Sequence, residues 1–155
     1  MALQTSVTRD NVIDSLIPYF NDPRYYLLIS DMGFGKVDAL KSKYPDRVIN
    51  CGIMEQATVG IASGMAEAGL IPVVYSIASF LVYRALEQIR NDIVFRNKNV
   101  KLIGNGSGDF FKSLGKCHCC GQEDIALMGM IGLQVYDGSE FNEWINSSEG
   151  GYLRC

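Results

Sequence analysis

The sequence has 155 residues and a formal net charge of −3, from 14 basic and 17 acidic residues. This length fits one domain, and we predict a single domain over residues 1–155 whose core needs no metal or disulfide. The charge balance argues against a nucleic-acid-binding protein, and no apolar run approaches the roughly 20 residues that cross a bilayer. Because "MALQTSVTRDN" lacks the apolar centre of a signal peptide, a cytoplasmic location is expected.

Strand-length apolar runs alternate with helical patterns along the chain. The apolar runs are YLLIS (26–30), RVIN (47–50), PVVYS (72–76), VKLIG (100–104) and LQVYD (133–137). The helical patterns cover about 8–21, 36–43, 55–69, 78–95, 122–131 and 139–148. Nearly unbroken apolar strands joined by helices indicate a parallel sheet covered on both faces. We therefore predict an α/β fold, a three-layer sandwich with a mainly parallel central sheet.

Three irregular segments follow predicted strands. They are SDMGFGK (30–36), NCGIME (50–55) and the long loop at 104–121. In open α/β sheets, ligands bind beyond the carboxyl ends of the strands. These segments are therefore expected to face the same rim of the sheet and to carry the functional site.

Glu55 opens the third helical pattern, directly after the second predicted strand. An acid at that position also complements the helix dipole, so a purely structural role is an alternative. In the same helix, small residues recur at intervals of three and four and line one face: Ala57, Gly60, Gly64 and Ala68. Each helical glycine costs roughly 1 kcal/mol of helix propensity. The pattern therefore predicts that another element packs very closely against this face.

Three stretches carry a family resemblance. PDRVINCGIMEQATVGIASGMAEAGLIPVVYS (45–76) resembles the signature of the pyrimidine-binding domain of thiamine diphosphate enzymes of the transketolase family. FLVYRALEQIRND (80–92) is similar to the family's F-x-x-x-R-A-x-E-Q-I-R-N helix, and HCCGQEDIALM (118–128) to its T-H-x-x-x-E-D-I-A-x-M segment. The resemblance spans about residues 8–137. It implies the fold of that pyrimidine-binding domain and thiamine diphosphate as the cofactor.

The resemblance implies roles for residues around the aminopyrimidine ring of the cofactor. Glu55 would hydrogen-bond a ring nitrogen and promote the imino tautomer, whose nitrogen removes the thiazolium proton. Phe80 matches the aromatic residue that packs against the ring, and Tyr83 is a second candidate. Ile77 occupies a position that is often aromatic. For Phe80 and Tyr83, ordinary core packing is the alternative.

Two further residues match family positions near the cofactor. His118 matches the histidine that faces the thiazolium and the substrate, although Cys117 replaces the family's threonine. One extra residue also separates His118 from the following acidic pair. Asp31, at the end of the first strand, matches an aspartate near the cofactor; capping of the strand end is the alternative.

The diphosphate half of such a site is not evident in the sequence. The family holds magnesium and diphosphate with a GDG…N motif, whereas this chain has only GSGDFF at 106–111. No metal ligand is therefore predicted in this chain. We expect a separate GDG…N subunit to hold Mg²⁺ and the diphosphate, in a heterotetramer that also self-associates through the helix at 55–69.

The resemblance implies a transferase subunit: the pyrimidine-binding half of a split, transketolase-like enzyme acting on a ketose or 2-oxo substrate. The alternatives are a subunit of a thiamine diphosphate-dependent 2-oxo acid decarboxylase or dehydrogenase, and a non-catalytic assembly module. A metal-binding protein is the least favoured hypothesis. Cys117, Cys119 and Cys120 flank His118, but the adjacent pair does not suit one tetrahedral zinc ion, and reduced thiols are expected.

Overall fold

The computed structural model describes residues 6–155. Its strands are β1 (Tyr25–Ile29), β2 (Val48–Asn50), β3 (Ile71–Ile77), β4 (Lys101–Asn105), β5 (Val135–Asp137) and β6 (Gly151–Arg154). Its α-helices are α1 (Val12–Leu16), α2 (Asp38–Lys43), α3 (Glu55–Glu67), α4 (Ala78–Arg84), α5 (Leu86–Gln88), α6 (Glu123–Met130) and α7 (Phe141–Asn146). A π-helical turn covers Ile89–Val94, and short 3₁₀ helices lie at Tyr19–Asn21, Pro45–Arg47, Lys112–Leu114, Lys116–His118 and Gly138–Glu140.

The six strands form one sheet with the order β2-β1-β3-β4-β6-β5, and every pairing between them is parallel. The five predicted strands are confirmed with small shifts of their ends. The strand β6 was not predicted, and it lies between β4 and β5. Glycine is needed where β6 begins, because a Cβ at Gly151 would press against the Tyr136 and Trp144 rings.

The sheet is buried on both faces because its central strands alternate between two cores. Leu27, Val73 and Ile103 point into one core, which is filled by α1, α2 and α7. Leu28 and Val74 point into the other, which is filled by α3, α4 and α6. This alternation explains why the strands read as nearly unbroken apolar runs. The predicted three-layer α/β sandwich is confirmed.

Two predicted helices are shorter or more divided than expected. The pattern at 8–21 gives only α1 and a 3₁₀ turn, because Pro18 lacks the amide that a continuous helix needs. The pattern at 78–95 breaks at Ala85, whose backbone leaves helical geometry with φ −112° and ψ 14°, and continues as α5 and the π-helical turn. No helix within residues 6–155 is long and apolar enough to cross a membrane.

Lys101, the first residue of β4, has a fully buried side chain. Its Nζ donates hydrogen bonds to the carbonyl oxygens of Ser147 (2.9 Å) and Glu149 (2.7 Å), in the segment that leads into β6. Burial disfavours the charged amine and lowers the pKa of Lys101 to about 8. Lys101 therefore holds the segment before β6, and it loses its proton at a lower pH than a free lysine does.

Replacing Lys101 by methionine should change how stability depends on pH. The folded pKa lies below the value of 10.5 for a free lysine, so unfolding takes up a proton between these values and wild-type stability rises with pH there. Between about pH 7 and pH 10, the difference in free energy of unfolding, wild type minus Lys101→Met, should increase by about 2 kcal/mol. Urea unfolding at both pH values measures this, and a constant difference would contradict it. Burial raises the pKa values of Tyr75 and Cys155 to about 12, which makes the protein less stable as the pH rises. This effect is the same in wild type and variant, so it cancels in the difference.

Candidate active site

The candidate site lies at the carboxyl rim of the sheet, where β2, β3 and β4 end. The loop 51–54 after β2 delivers Glu55 to the first turn of α3. The side chain of Glu55 is only 2% exposed. A cavity of about 620 Å³ opens beside it, lined by Ile53, Met54, Glu55, Gln56, Ala57 and Arg84. The structure therefore places a buried carboxylate at the wall of a cavity open to ligands.

Two polar groups from β3 and α4 hold the Glu55 carboxylate. Arg84 Nη1, at the end of α4, donates to both oxygens, at 3.1 Å to Oε1 and 2.9 Å to Oε2. Ser76 Oγ, at the end of β3, donates to Oε1 at 3.3 Å. These contacts satisfy a carboxylate that would be costly to bury alone.

Phe80 connects this ion pair to the loop after β4. It lies one helical turn before Arg84, whose guanidinium carbon stands 3.9 Å from the centroid of the Phe80 ring. The ring of His118 also contacts Phe80, with the two centroids 4.8 Å apart and the planes tilted by 59°. Thus Glu55, Phe80 and His118, which are far apart in sequence, form one continuous cluster with Arg84.

The loop at 104–121 brings His118 to this cluster. Ser79 Oγ, on α4, donates to the Cys117 carbonyl oxygen at 3.0 Å, which fixes the backbone next to the histidine. Cys117 Sγ lies 3.3 Å from His118 Nδ1, and the thiol side chain is exposed. Cys117, at the position of the family's threonine, therefore supplies a polar partner for the imidazole ring.

The other predicted site residues are Tyr83, Ile77 and Asp31. Tyr83 is 47% exposed on α4. Ile77 is half-buried at the end of β3 and is the register partner of Asn105. Asp31 has a left-handed backbone (φ 50°) and exchanges two hydrogen bonds with Asn50: its carboxylate accepts from Nδ2 at 2.9 Å, and its N–H donates to Oδ1 at 3.1 Å. This contact joins the ends of β1 and β2.

The small-residue face of α3 points to solvent. Ala57, Gly60, Gly64 and Ala68 are all exposed, with Ile61 beside them. In the described part of the chain, a Cβ placed on Gly60 or Gly64 would meet no atom within 4 Å outside the backbone of α3. These glycines are therefore not required by packing within residues 6–155, and the face is available to a second polypeptide.

The cysteines around His118 lie in different surroundings. Cys117 is exposed, Cys119 is half-buried and Cys120 is buried. Burial raises the pKa of the Cys120 thiol, and the negative charge of Asp124 adds to that effect. Within the part of the chain that the structure describes, no three His, Cys, Asp or Glu side chains are grouped closely enough to hold a metal ion.

Sequence reasoning did not single out Arg84 or Ser76 as members of the site. Arg84 lies in the family-like helix stretch four residues after Phe80, a spacing that puts both on the same helix face. That spacing was the available signal for Arg84. For Ser76 there was no comparable signal, because a serine at the end of an apolar strand is common and its partner is 21 residues away.

Comparison with known proteins identifies the family of the chain. Residues 19–143 match the family described as "Transketolase, pyrimidine binding domain". The chain is 38% identical over 109 residues to one subunit of the apulose-4-phosphate transketolase of Actinobacillus succinogenes, covering 70% of this chain and 35% of that protein. It is 31% identical over 132 residues to the 6-deoxy-6-sulfo-D-fructose transketolase subunit SqwH of a Clostridium species, covering 83% of this chain and 41% of that protein.

A solved structure gives the same result. The split-gene transketolase described as an inactive β4 tetramer superposes with a TM-score of 0.75 at 26% identity, covering 94% of this chain and 49% of that one. The chain thus spans less than half the length of these relatives. Because the family match covers most of the residues and includes both Glu55 and Phe80, this chain belongs to the transketolase pyrimidine-binding domain family.

Proposed function

We propose that this chain is the pyrimidine-binding part of a split, thiamine diphosphate-dependent transketolase, a cytoplasmic transferase. The observation that carries the proposal is the buried Glu55 carboxylate at the wall of a cavity, with the Phe80 ring next to its ion-pair partner. A buried acceptor beside an aromatic ring is what a planar, nitrogen-rich ring requires. The residues present therefore fit the aminopyrimidine half of thiamine diphosphate.

In this proposal each residue has a definite task. When bound, thiamine diphosphate supplies the carbon nucleophile for cleaving and forming carbon–carbon bonds. Glu55 holds a proton on a ring nitrogen of the aminopyrimidine, Phe80 packs against the ring, and His118 faces the reacting part of the substrate. Ile77 and Tyr83 border the ring, and Asp31 supports the rim through Asn50.

The diphosphate and Mg²⁺ are assigned to a separate GDG…N subunit. The support is that two relatives are named as transketolase subunits and a third as a split-gene product. We propose a heterotetramer in which two copies of this chain meet through the exposed small-residue face of α3. That face offers the close approach between helices that glycine permits.

The substrate class proposed is a ketose with a charged group at its end. The named substrates of the two relatives carry a phosphate and a sulfonate, respectively. The same similarity favours a transketolase over a 2-oxo acid decarboxylase or dehydrogenase.

Isothermal titration calorimetry tests the division into two subunits. The phosphates and metal ion should supply most of the binding energy through charge-assisted contacts. We therefore expect no micromolar binding of thiamine diphosphate to this chain alone, even with Mg²⁺, and micromolar or tighter binding once a GDG…N subunit is added. Tight binding by this chain alone would contradict the proposal, because the diphosphate site would then lie within these residues.

A further inference from the structure

We propose that Arg84 is a further functional residue of the cofactor half-site, and that its guanidinium occupies the place of the aminopyrimidine until the cofactor displaces it. This inference rests on the proposed function. Glu55 and Phe80 are the two groups expected to receive the aminopyrimidine ring. In the structure, both of them are engaged by Arg84.

The contacts of Arg84 reproduce those that a bound aminopyrimidine would make. Its N–H group donates to the buried Glu55 carboxylate at 2.9 and 3.1 Å. Its planar guanidinium lies over the Phe80 ring, 3.9 Å from the centroid. A guanidinium and an aminopyrimidine protonated on its ring nitrogen are both flat and nitrogen-rich. Both donate an N–H from their edge to a carboxylate, and both pack through their face on an aromatic ring.

The two groups cannot share the same face of Phe80. A guanidinium carbon at 3.9 Å from the centroid already lies at stacking distance, so a second planar group has no space between them. A pyrimidine that stacks on this face must therefore move Arg84. Open space is available for this movement, because the side chain is 44% exposed and lines the cavity beside Glu55.

Arg84 also explains how the site tolerates a buried carboxylate without ligand. Glu55 is almost fully buried, and an unpaired charge there would be strongly unfavourable. Arg84 compensates this charge in the free chain. When the aminopyrimidine binds with a proton on its ring nitrogen, that N–H replaces the Arg84 N–H as the donor to Glu55. Cofactor binding is then an exchange of partners at Glu55 and Phe80. The free energy needed to break the Arg84 contacts is subtracted from the free energy of binding, so the apparent affinity for the cofactor is lower.

A fragment that contains only the ring tests this exchange without a partner subunit. The probe is 4-amino-2-methylpyrimidine, titrated at millimolar concentration into the full chain and followed by the amide NMR signals of α3 and α4. Arg84→Met, which removes the charge and the planar group, should bind the fragment about tenfold tighter than wild type. Arg84→Lys keeps the positive charge near Glu55 but vacates the Phe80 face, and should fall between the two.

Arg90→Met is the matched control. Arg90 is also an exposed arginine stacked over a phenylalanine, with its guanidinium carbon 4.1 Å from the Phe95 centroid, but its nearest polar partner is Asn91. Its substitution should leave fragment affinity unchanged. Circular dichroism shows whether each variant is folded, and Arg84→Lys keeps the test decisive if Arg84→Met does not fold.

The outcomes separate this inference from the proposed function. Equal or weaker binding by Arg84→Met and Arg84→Lys than by wild type would overturn the role of Arg84 and leave the pyrimidine site in place. Absence of binding by wild type and every folded variant would contradict the pyrimidine site itself, and the role of Arg84 with it.

Discussion

Glu55→Gln should slow exchange of the thiazolium C2 proton of thiamine diphosphate, bound in the assembled two-subunit complex, by about two or more orders of magnitude. Glutamine keeps the shape of the side chain and a carbonyl oxygen, but it cannot hold the acidic proton that the aminopyrimidine nitrogen requires. Hydrogen–deuterium exchange followed by ¹H NMR after acid quench measures this step directly. Because no sugar is needed, the result does not depend on the identity of the substrate.

The control for this experiment is Glu67→Gln at the opposite end of α3. Glu67 is 54% exposed and pairs with Arg96 and Lys98 at the surface. Its substitution should leave the exchange rate within about twofold, because surface ion pairs contribute little. If Glu55→Gln exchanged the proton as fast as wild type, Glu55 would have no part in cofactor activation.

Gly64→Leu should weaken assembly of the complex by about a hundredfold. Within residues 6–155, a Cβ at Gly64 meets no atom within 4 Å outside the backbone of its own helix, so the free protein should fold normally and gain up to about 1 kcal/mol of helix propensity. In a symmetric contact, each copy would add one side chain, and intrusion into a packed interface costs about 1–3 kcal/mol for each. About 3 kcal/mol in total corresponds to roughly a hundredfold in affinity.

Sedimentation velocity with and without the GDG…N subunit measures this effect. Gly129→Leu is the matched control, because Gly129 is also an exposed helical glycine with no atom within 4 Å of a Cβ, but it lies on α6. Its assembly should equal that of wild type. Normal assembly of Gly64→Leu would show that the small-residue face of α3 is not the interface.

The strands were predictable because burial on both faces leaves a local signal. The runs that became β1, β3 and β4 are apolar almost throughout, since alternate residues enter two different cores. The sequence GYLR of β6 carries no such signal. Its strand conformation depends on pairing with β4 and β5, which lie elsewhere in the chain.

The part of the candidate site that comes directly after predicted strands could be predicted from the sequence. Glu55 and Phe80 were identified by motif, and their position at one rim follows from the parallel sheet. The pairing of Glu55 with Arg84 could not be predicted, because it joins residues 29 positions apart and depends on where α4 ends. The contact between Phe80 and His118 likewise depends on the course of an irregular loop.

The position of β6 has a consequence for the order in which the protein is built. During synthesis β4 and β5 emerge before residues 151–154, yet they are not joined in the sheet until β6 enters between them. Until then each presents an unpaired edge, which is a template for pairing with other chains. In the interval between the emergence of β5 and the arrival of β6, these edges are therefore open to misassembly. Lys101 on β4 donates hydrogen bonds to Ser147 and Glu149, so it binds the segment that leads into β6 and helps to end this interval.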